Sequence, residues 1–148
     1  MGPVRWYFDT SVLVAAAVAR HPHNAAALAV LEEMLSRKHR SYVSAHSLTE
    51  VYSVLTSTPF KPPLYPSEAW RIIEGMILPH MELVPLTPAE YRDVVRQCAT
   101  DGWAGGRVHD AVHLRCAQKA SCDRVYTFNI RDFRALAGTS WEDKICAP

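Results

Sequence analysis

No stretch of this sequence is apolar for long enough to span a bilayer. The longest apolar run, Val12 to Ala19, falls far short of the ~20 residues a membrane helix needs. No basic segment followed by an apolar core opens the chain, so no secretory leader is read. The cysteines are few, Cys98, Cys116, Cys122 and Cys146. None forms a C-x-x-C pair, which excludes a zinc ribbon and a thioredoxin-type redox motif. They read as free, buried thiols in a reduced, cytoplasmic protein with no membrane association. An excess of charge is missing too: 16 Lys and Arg stand against 15 Asp and Glu, a net charge of +1. That excludes a basic nucleic-acid coat and leaves any nucleic-acid contact to local patches. Internal repeats and low-complexity segments are absent.

What remains is an ordinary globular composition, 49% hydrophobic and 21% charged over 148 residues. This is enough chain to bury one core, and 1–148 is read as one domain. One basic run, Arg37-Lys-His-Arg40, suits a solvated helix C-terminus, where cations complement the dipole. The one linker-like stretch, Thr58 to Pro66, has four prolines in nine residues. It reads as a stiff loop between helices, because neither side is long enough to stand alone.

Short β-like runs alternate with helical patterns. Val4 to Phe8 reads as a strand ending at Asp9, and Ser41 to Val43, Glu82 to Val84 and Arg124 to Phe128 as further strands, with Lys144 to Cys146 as a possible fifth. Asn24 to Arg37 carries Leu28, Leu31 and Leu35 at helical spacing. Ser47-Leu-Thr-Glu50 has capping-box form and opens a helix with Val51, Val54 and Leu55. Pro66 to Leu78 and Val108 to Ala120 are further helices. Thr87-Pro-Ala-Glu90 is a second capping box with proline in the favoured first position, and its helix runs to about Ala99. Alternating strands and helices imply βαβ units, a parallel sheet, and ligands at the carboxyl ends of its strands.

The carboxylates are placed accordingly. Asp9 directly follows Trp6-Tyr7-Phe8, at the end of the first strand. As a mere helix N-cap it would be unremarkable, but Thr10 or Ser11 could cap instead. Glu50 could be only the capping-box partner of Ser47. Asp110 could be only a carboxylate favoured by a helix dipole, after the glycine-rich approach Gly102-Trp-Ala-Gly-Gly106. Asn129 and Asp132 follow the fourth strand, and Asp132 could cap a short helix containing Phe133 and Leu136. None of these separate roles explains the placement. Strand ends and following helix starts of a parallel sheet share one edge, so Asp9, Asp110, Asn129 and Asp132 should converge, with Glu50 in reach. Packed carboxylates repel unless a cation neutralises them. Hard oxygen ligands suit Mg²⁺ or Mn²⁺, which can hold a phosphodiester and activate a water.

Four segments now resemble the PIN-domain family and, within it, the VapC-type toxins of toxin–antitoxin pairs. Tyr7-Phe-Asp-Thr-Ser-Val-Leu13 resembles the opening strand and first acid, and Ser47-Leu-Thr-Glu-Val51 the helix with the second. Gly106-Arg-Val-His-Asp-Ala111 resembles the third. Val125 to Phe133 resembles the closing T-x-N-x-x-D-F element, with Thr127, Asn129, Asp132 and Phe133. The match runs in order along nearly the whole chain. The resemblance implies an α/β fold, a mostly parallel sheet of four or five strands with helices on both faces. It also implies Mg²⁺- or Mn²⁺-dependent hydrolysis of RNA by an activated water. Asp9, Glu50 and Asp110 map onto the acidic triad, with Asp9 and Asp110 as metal ligands. Asn129 holds a place often taken by an acid, and Asp132 is the other candidate for that fourth position. Thr10, Ser11 and Thr127 are candidates for supporting hydrogen bonds. A homodimer and a small antitoxin partner are implied as well.

Three rival readings come from the same residues. His109-Asp-Ala-Val-His113 has the i, i+4 histidine spacing of the H-E-x-x-H zinc motif, but Asp replaces Glu and no third ligand follows. On the present reading His113 packs in its helix and His109 sits at the rim of the site. An aspartate-nucleophile phosphatase would want a second acid where Ser11 stands. A PIN fold serving only as a binding module would normally have lost an acid, and this chain keeps three.

Overall fold

The computed structural model describes residues 4–57 and 63–148. Five strands form one sheet in the order β3-β2-β1-β4-β5: β1 (Arg5–Phe8), β2 (Arg40–Ser44), β3 (Glu82–Val84), β4 (Arg124–Tyr126) and β5 (Ile145–Cys146). Every neighbouring pair is parallel, with Tyr7 opposite Tyr42 on one side and Val125 on the other. The fifth strand read from Lys144 to Cys146 is therefore present.

Parallel strands need crossovers, and these are almost always right-handed. The chain first steps from β1 through β2 to β3 using α1 (Thr10–Ala17), α2 (Asn24–Ser36), α3 (Ser47–Leu55) and α4 (Pro66–Ile72). It then returns past β1 to β4 and β5 using α5 (Pro88–Asp101), α6 (Arg107–Lys119) and α7 (Ile130–Ala137). Reversing direction at constant hand puts the second set of helices on the opposite face. The strand residues record this by alternation. Trp6, Phe8, Val43 and Tyr126 join the core beneath α1 to α4, while Tyr7, Tyr42, Val125 and Ile145 join the one beneath α5 to α7. Phe133 is wholly buried in the second core, and cutting it to Ala would cost about 3–5 kcal/mol.

Two local readings are corrected and one element is added. Val12 to Ala19 reads only as an apolar run, and Thr10–Ala17 is a helix with most of its residues buried. Such a helix has no polar face and so no helical stripe to read. The Ser47–Glu50 capping box does not form: His46 holds the N-cap position with no side-chain cap bond, and the Ser47 hydroxyl is buried with no partner among the described residues. The helix expected over Pro66 to Leu78 leaves α geometry at Ile73 and continues as a π-turn, Ile73–Ile77. By contrast, the Thr87–Glu90 capping box forms in full. Of the proline-rich stretch, residues 58–62 lie outside the described residues, and Pro66 opens α4. All four thiols are free, and three of them are buried.

Candidate active site

The reversal of strand order falls between β1 and β4, the switch point where doubly wound sheets leave a crevice at their carboxyl edge. Asp9 ends β1 there and occupies the N-cap position of α1, but its side chain makes no cap bond. Its carboxylate turns inward instead. Oδ2 accepts the hydroxyls of Ser11 at 2.8 Å and Thr127 at 2.9 Å. Those hydroxyls accept in turn from the backbone N–H groups of Phe128 and Asn129, so their hydrogens are left to point at Asp9. The first turn of α1 and the end of β4 thus jointly fix one oxygen of a carboxylate that is only 5% exposed. Thr10 and Ser11 do not cap α1. Ser11 holds Asp9, and Thr10 reaches His113 at 3.3 Å.

Asp110 enters from the first turn of α6. The Asn129 side-chain amide donates to Asp110 Oδ2 at 3.0 Å and to Asp132 Oδ2 at 3.2 Å. Arg107 approaches Asp132 at 3.7 Å. Asn129 therefore bridges two acids. Asp9, Thr10, Ser11, Glu50, Asp110 and Asn129 line an open cleft of about 470 Å³, and Asp132 is outside its lining. A second cavity of about 410 Å³ opens against α5, α6 and α7, and Asp101 is its one carboxylate.

Glu50 leads to a further residue of the site. Freed from capping, its Oε1 lies 3.1 Å from His113 Nε2. The same nitrogen is 3.4 Å from Asp9 Oδ1. Tyr7 closes the other side of the ring, its hydroxyl 2.6 Å from Nδ1. His113 is indeed buried, 1% exposed, but as the floor of the acidic site rather than as packing alone. One signal could have placed it: position i+3 from Asp110 shares that acid's face of the helix. His109 lies at the exposed surface, stacked on His46 at 6.1 Å between centroids. With both ring nitrogens of His113 engaged, a zinc pair with His109 has no support.

The electrostatics follow this geometry. Burial, reinforced by the charge of Asp9, pushes the Asp110 carboxyl up to about 6. Burial also pushes Glu50 upward, but the His113 bond and the nearby His46 and His109 outweigh it, leaving Glu50 below the usual range. For His113, burial opposes the cation, and Glu50, Asp9 and Asp110 together overcome this and raise it. Among the described residues no group of three or more His, Cys, Asp or Glu side chains is arranged to hold a metal ion as it stands. The oxygen donors Asp9, Glu50 and Asp110 nevertheless suit a hard cation. Mg²⁺ retains several waters and binds through one or two carboxylates, so an open mouth fits it. The strained ionisation of Asp110 is what a cation would relieve.

No helix among the described residues is long and apolar enough to cross a membrane. Comparison with curated protein sequences finds no match. Among solved structures, the fold is similar to VapC20 of Mycobacterium tuberculosis, a toxin that cleaves the sarcin-ricin loop. The TM-score is 0.69 at 16% identity, covering 90% of this chain and 96% of that one. It is similar also to VapBC2 of Rickettsia felis, solved bound to a DNA fragment from its promoter. There the TM-score is 0.67 at 16% identity, covering 98% and 99%. The model of the PIN domain matches residues 6–139, from within β1 past the end of α7, and so takes in every acid of the cleft. The chain belongs to the PIN-domain family.

Proposed function

We propose that this chain is a divalent-metal-dependent ribonuclease acting as the toxin of a toxin–antitoxin pair. The observation that carries the reading is the convergence of Asp9, Glu50 and Asp110 on one cleft at the switch point, with Asp110 held up to about 6. Asp9 and Asp110 would hold the ion, with Glu50 beside them and Asp132 acting from behind Asn129. Mg²⁺ or Mn²⁺ bound there would supply positive charge to a phosphodiester and an activated water for its hydrolysis. The chain's own part is to aim the oxygens. Ser11 and Thr127 fix Asp9 from one side, and Asn129 steers Asp110 from another.

The rim of the cleft suits RNA. His23 stacks on Phe128 at 4.4 Å and 16°, and both line the same cleft as the acids. Aromatic faces take unpaired bases irrespective of sequence, and single-stranded segments are where RNA sequence is read. The structural likeness to VapBC2 supports an antitoxin partner. An Arg from that partner would match an acidic cleft best, since its planar fork pairs two carboxylate oxygens at once. A homodimer, a cytoplasmic setting and a single domain over 1–148 belong to the same reading.

The test is cleavage of structured and single-stranded RNAs by purified protein. Activity with Mg²⁺ or Mn²⁺ that disappears in EDTA is expected. Full activity in excess chelator would refute the metal mechanism, and no cleavage under any condition would favour a binding module.

A further inference from the structure

We propose that His113 is a positioning residue of the acidic site: a donor whose tautomer Tyr7 selects and which holds Asp9 and Glu50 in one orientation. The inference rests on the ribonuclease reading for its catalytic consequence, but its geometry stands alone.

The hydrogen-bond chain begins in the backbone. The Ser44 N–H, at the end of β2, donates to the Tyr7 hydroxyl oxygen at 3.0 Å. Tyr7 is fully buried, and a phenol keeps its hydrogen at neutral pH. With Ser44 donating to the oxygen, the hydroxyl hydrogen goes to His113 Nδ1, 2.6 Å away. A neutral imidazole that accepts at Nδ1 carries its hydrogen on Nε2. A protonated ring carries one there too. In either form, the atom facing the carboxylates is a donor. Glu50 Oε1 at 3.1 Å and Thr10 Oγ1 at 3.3 Å are its hydrogen-bond partners, and Asp9 Oδ1 lies beside it as a charge contact at 3.4 Å.

The elements involved explain why such a clamp is useful. Asp9 ends β1, Glu50 projects from α3 on one face of the sheet, and His113 belongs to α6 on the other. Among the described residues no backbone hydrogen bond joins α3 to α6. Nε2 of His113 is therefore where the two layers register their carboxylates against each other. Asp9 is doubly held through Oδ2, which fixes its own rotation but not its relation to Glu50. Groups behind a metal ligand orient it, and their loss commonly costs 10–100-fold in metal affinity or activity.

The experiment uses the full chain with three substitutions. His113→Gln keeps an N–H donor at the reach of Nε2, His113→Leu removes it, and Tyr7→Phe removes only the hydroxyl that selects the tautomer. At a pH where the ring is neutral, long-range ¹H–¹⁵N NMR of His113 should show Nε2 protonated and Nδ1 accepting in the wild type, and this pattern should be lost in Tyr7→Phe. Mn²⁺ binding, followed by EPR without RNA, should weaken 10–100-fold in His113→Leu and recover most of that in His113→Gln. Cleavage should follow the same order. An Nδ1–H tautomer in the wild type, or a folded His113→Leu that binds Mn²⁺ as the wild type does, would overturn the proposal. Should His113→Leu fail to fold, the wild-type tautomer and Tyr7→Phe decide. A wild type that binds Mn²⁺ but cleaves no RNA would refute the ribonuclease reading and leave the clamp to be judged by NMR and EPR.

Discussion

Asp110→Asn isolates the electrostatic cost of the acidic cleft. The carboxyl is moved from its ordinary 3.8 to about 6, first by burial and then by Asp9. In a fully enclosed site that displacement would cost about 3 kcal/mol whenever the group is ionised. Asp110 is only half-buried, and solvent screening reduces the figure to roughly 1–1.5 kcal/mol. Asn keeps an oxygen for the Asn129 amide, so the one bond at risk is conserved. Without metal the variant should therefore melt about 3–6 °C above the wild type near neutral pH. The sign follows from proton counting. Between pH 3.8 and about 6 the folded acid holds more protons than the unfolded one, so wild-type stability rises as pH falls through that window. The advantage of Asn should be complete above pH 6 and vanish toward 3.8. Calorimetry of both proteins in EDTA, from pH 4 to 8, measures this. Mg²⁺ should then raise the melting temperature of the wild type more than that of the variant. A variant that melts lower at pH 7.5, or an advantage that persists unchanged to pH 4, would refute the reasoning.

Asp9→Asn should abolish cleavage while the circular dichroism stays that of the wild type; a variant that unfolds but keeps its specific activity per folded molecule would make Asp9 purely structural. Fragments from the wild type should carry 5′-phosphate and 3′-hydroxyl ends, as water attack on phosphorus with the 3′-oxygen as leaving group gives. End-labelling that finds a 2′,3′-cyclic phosphate would instead implicate acid–base chemistry through the 2′-hydroxyl. Glu90 is held down at about 2, first by its bond to Lys119 and then by the Thr87 N–H. Its stabilisation is present above pH 4.5 and fades as pH falls toward 2. Glu90→Gln should accordingly melt below the wild type at pH 7, with the gap closing across that window; an equal gap at pH 2.5 would contradict it.

The sequence made the edge of the sheet readable because parallel strands leave little freedom there. Asp9 after an apolar triplet and Asp110 at a helix start could converge only at the carboxyl edge, and they do. The capping boxes show where local signals stop. Thr87-Pro-Ala-Glu90 and Ser47-Leu-Thr-Glu50 have the same form, yet only the first closes. Glu90 finds solvent and Lys119 beside its cap, whereas Glu50 meets the buried His113, a partner on another layer. A pattern of four residues carries no information about such a partner. His113 was obscured in the same way. Its i, i+4 relation to His109 has the form of a metal motif, while the relation that matters is i+3 to Asp110, together with Tyr7 in a different strand. The π-turn over Ile73–Ile77 has no local signature, because an α-helix and a π-turn bury the same isoleucines.

The passage from β1 to α1 is a single residue long, and that residue is Asp9. The connection has no slack. One amino acid inserted there would turn α1 by about 100° about its axis and carry Ser11 away from the carboxylate it holds. The same insertion between Val18 and His21, in the bend before α2, would be absorbed by exposed chain. Insertions and deletions among descendants of this sequence should therefore accumulate at that bend and be purged at the strand–helix joint. Spacing errors at the joint strike folding and chemistry together, so the phase of the first helix and the aim of the first acid can only be inherited as one trait.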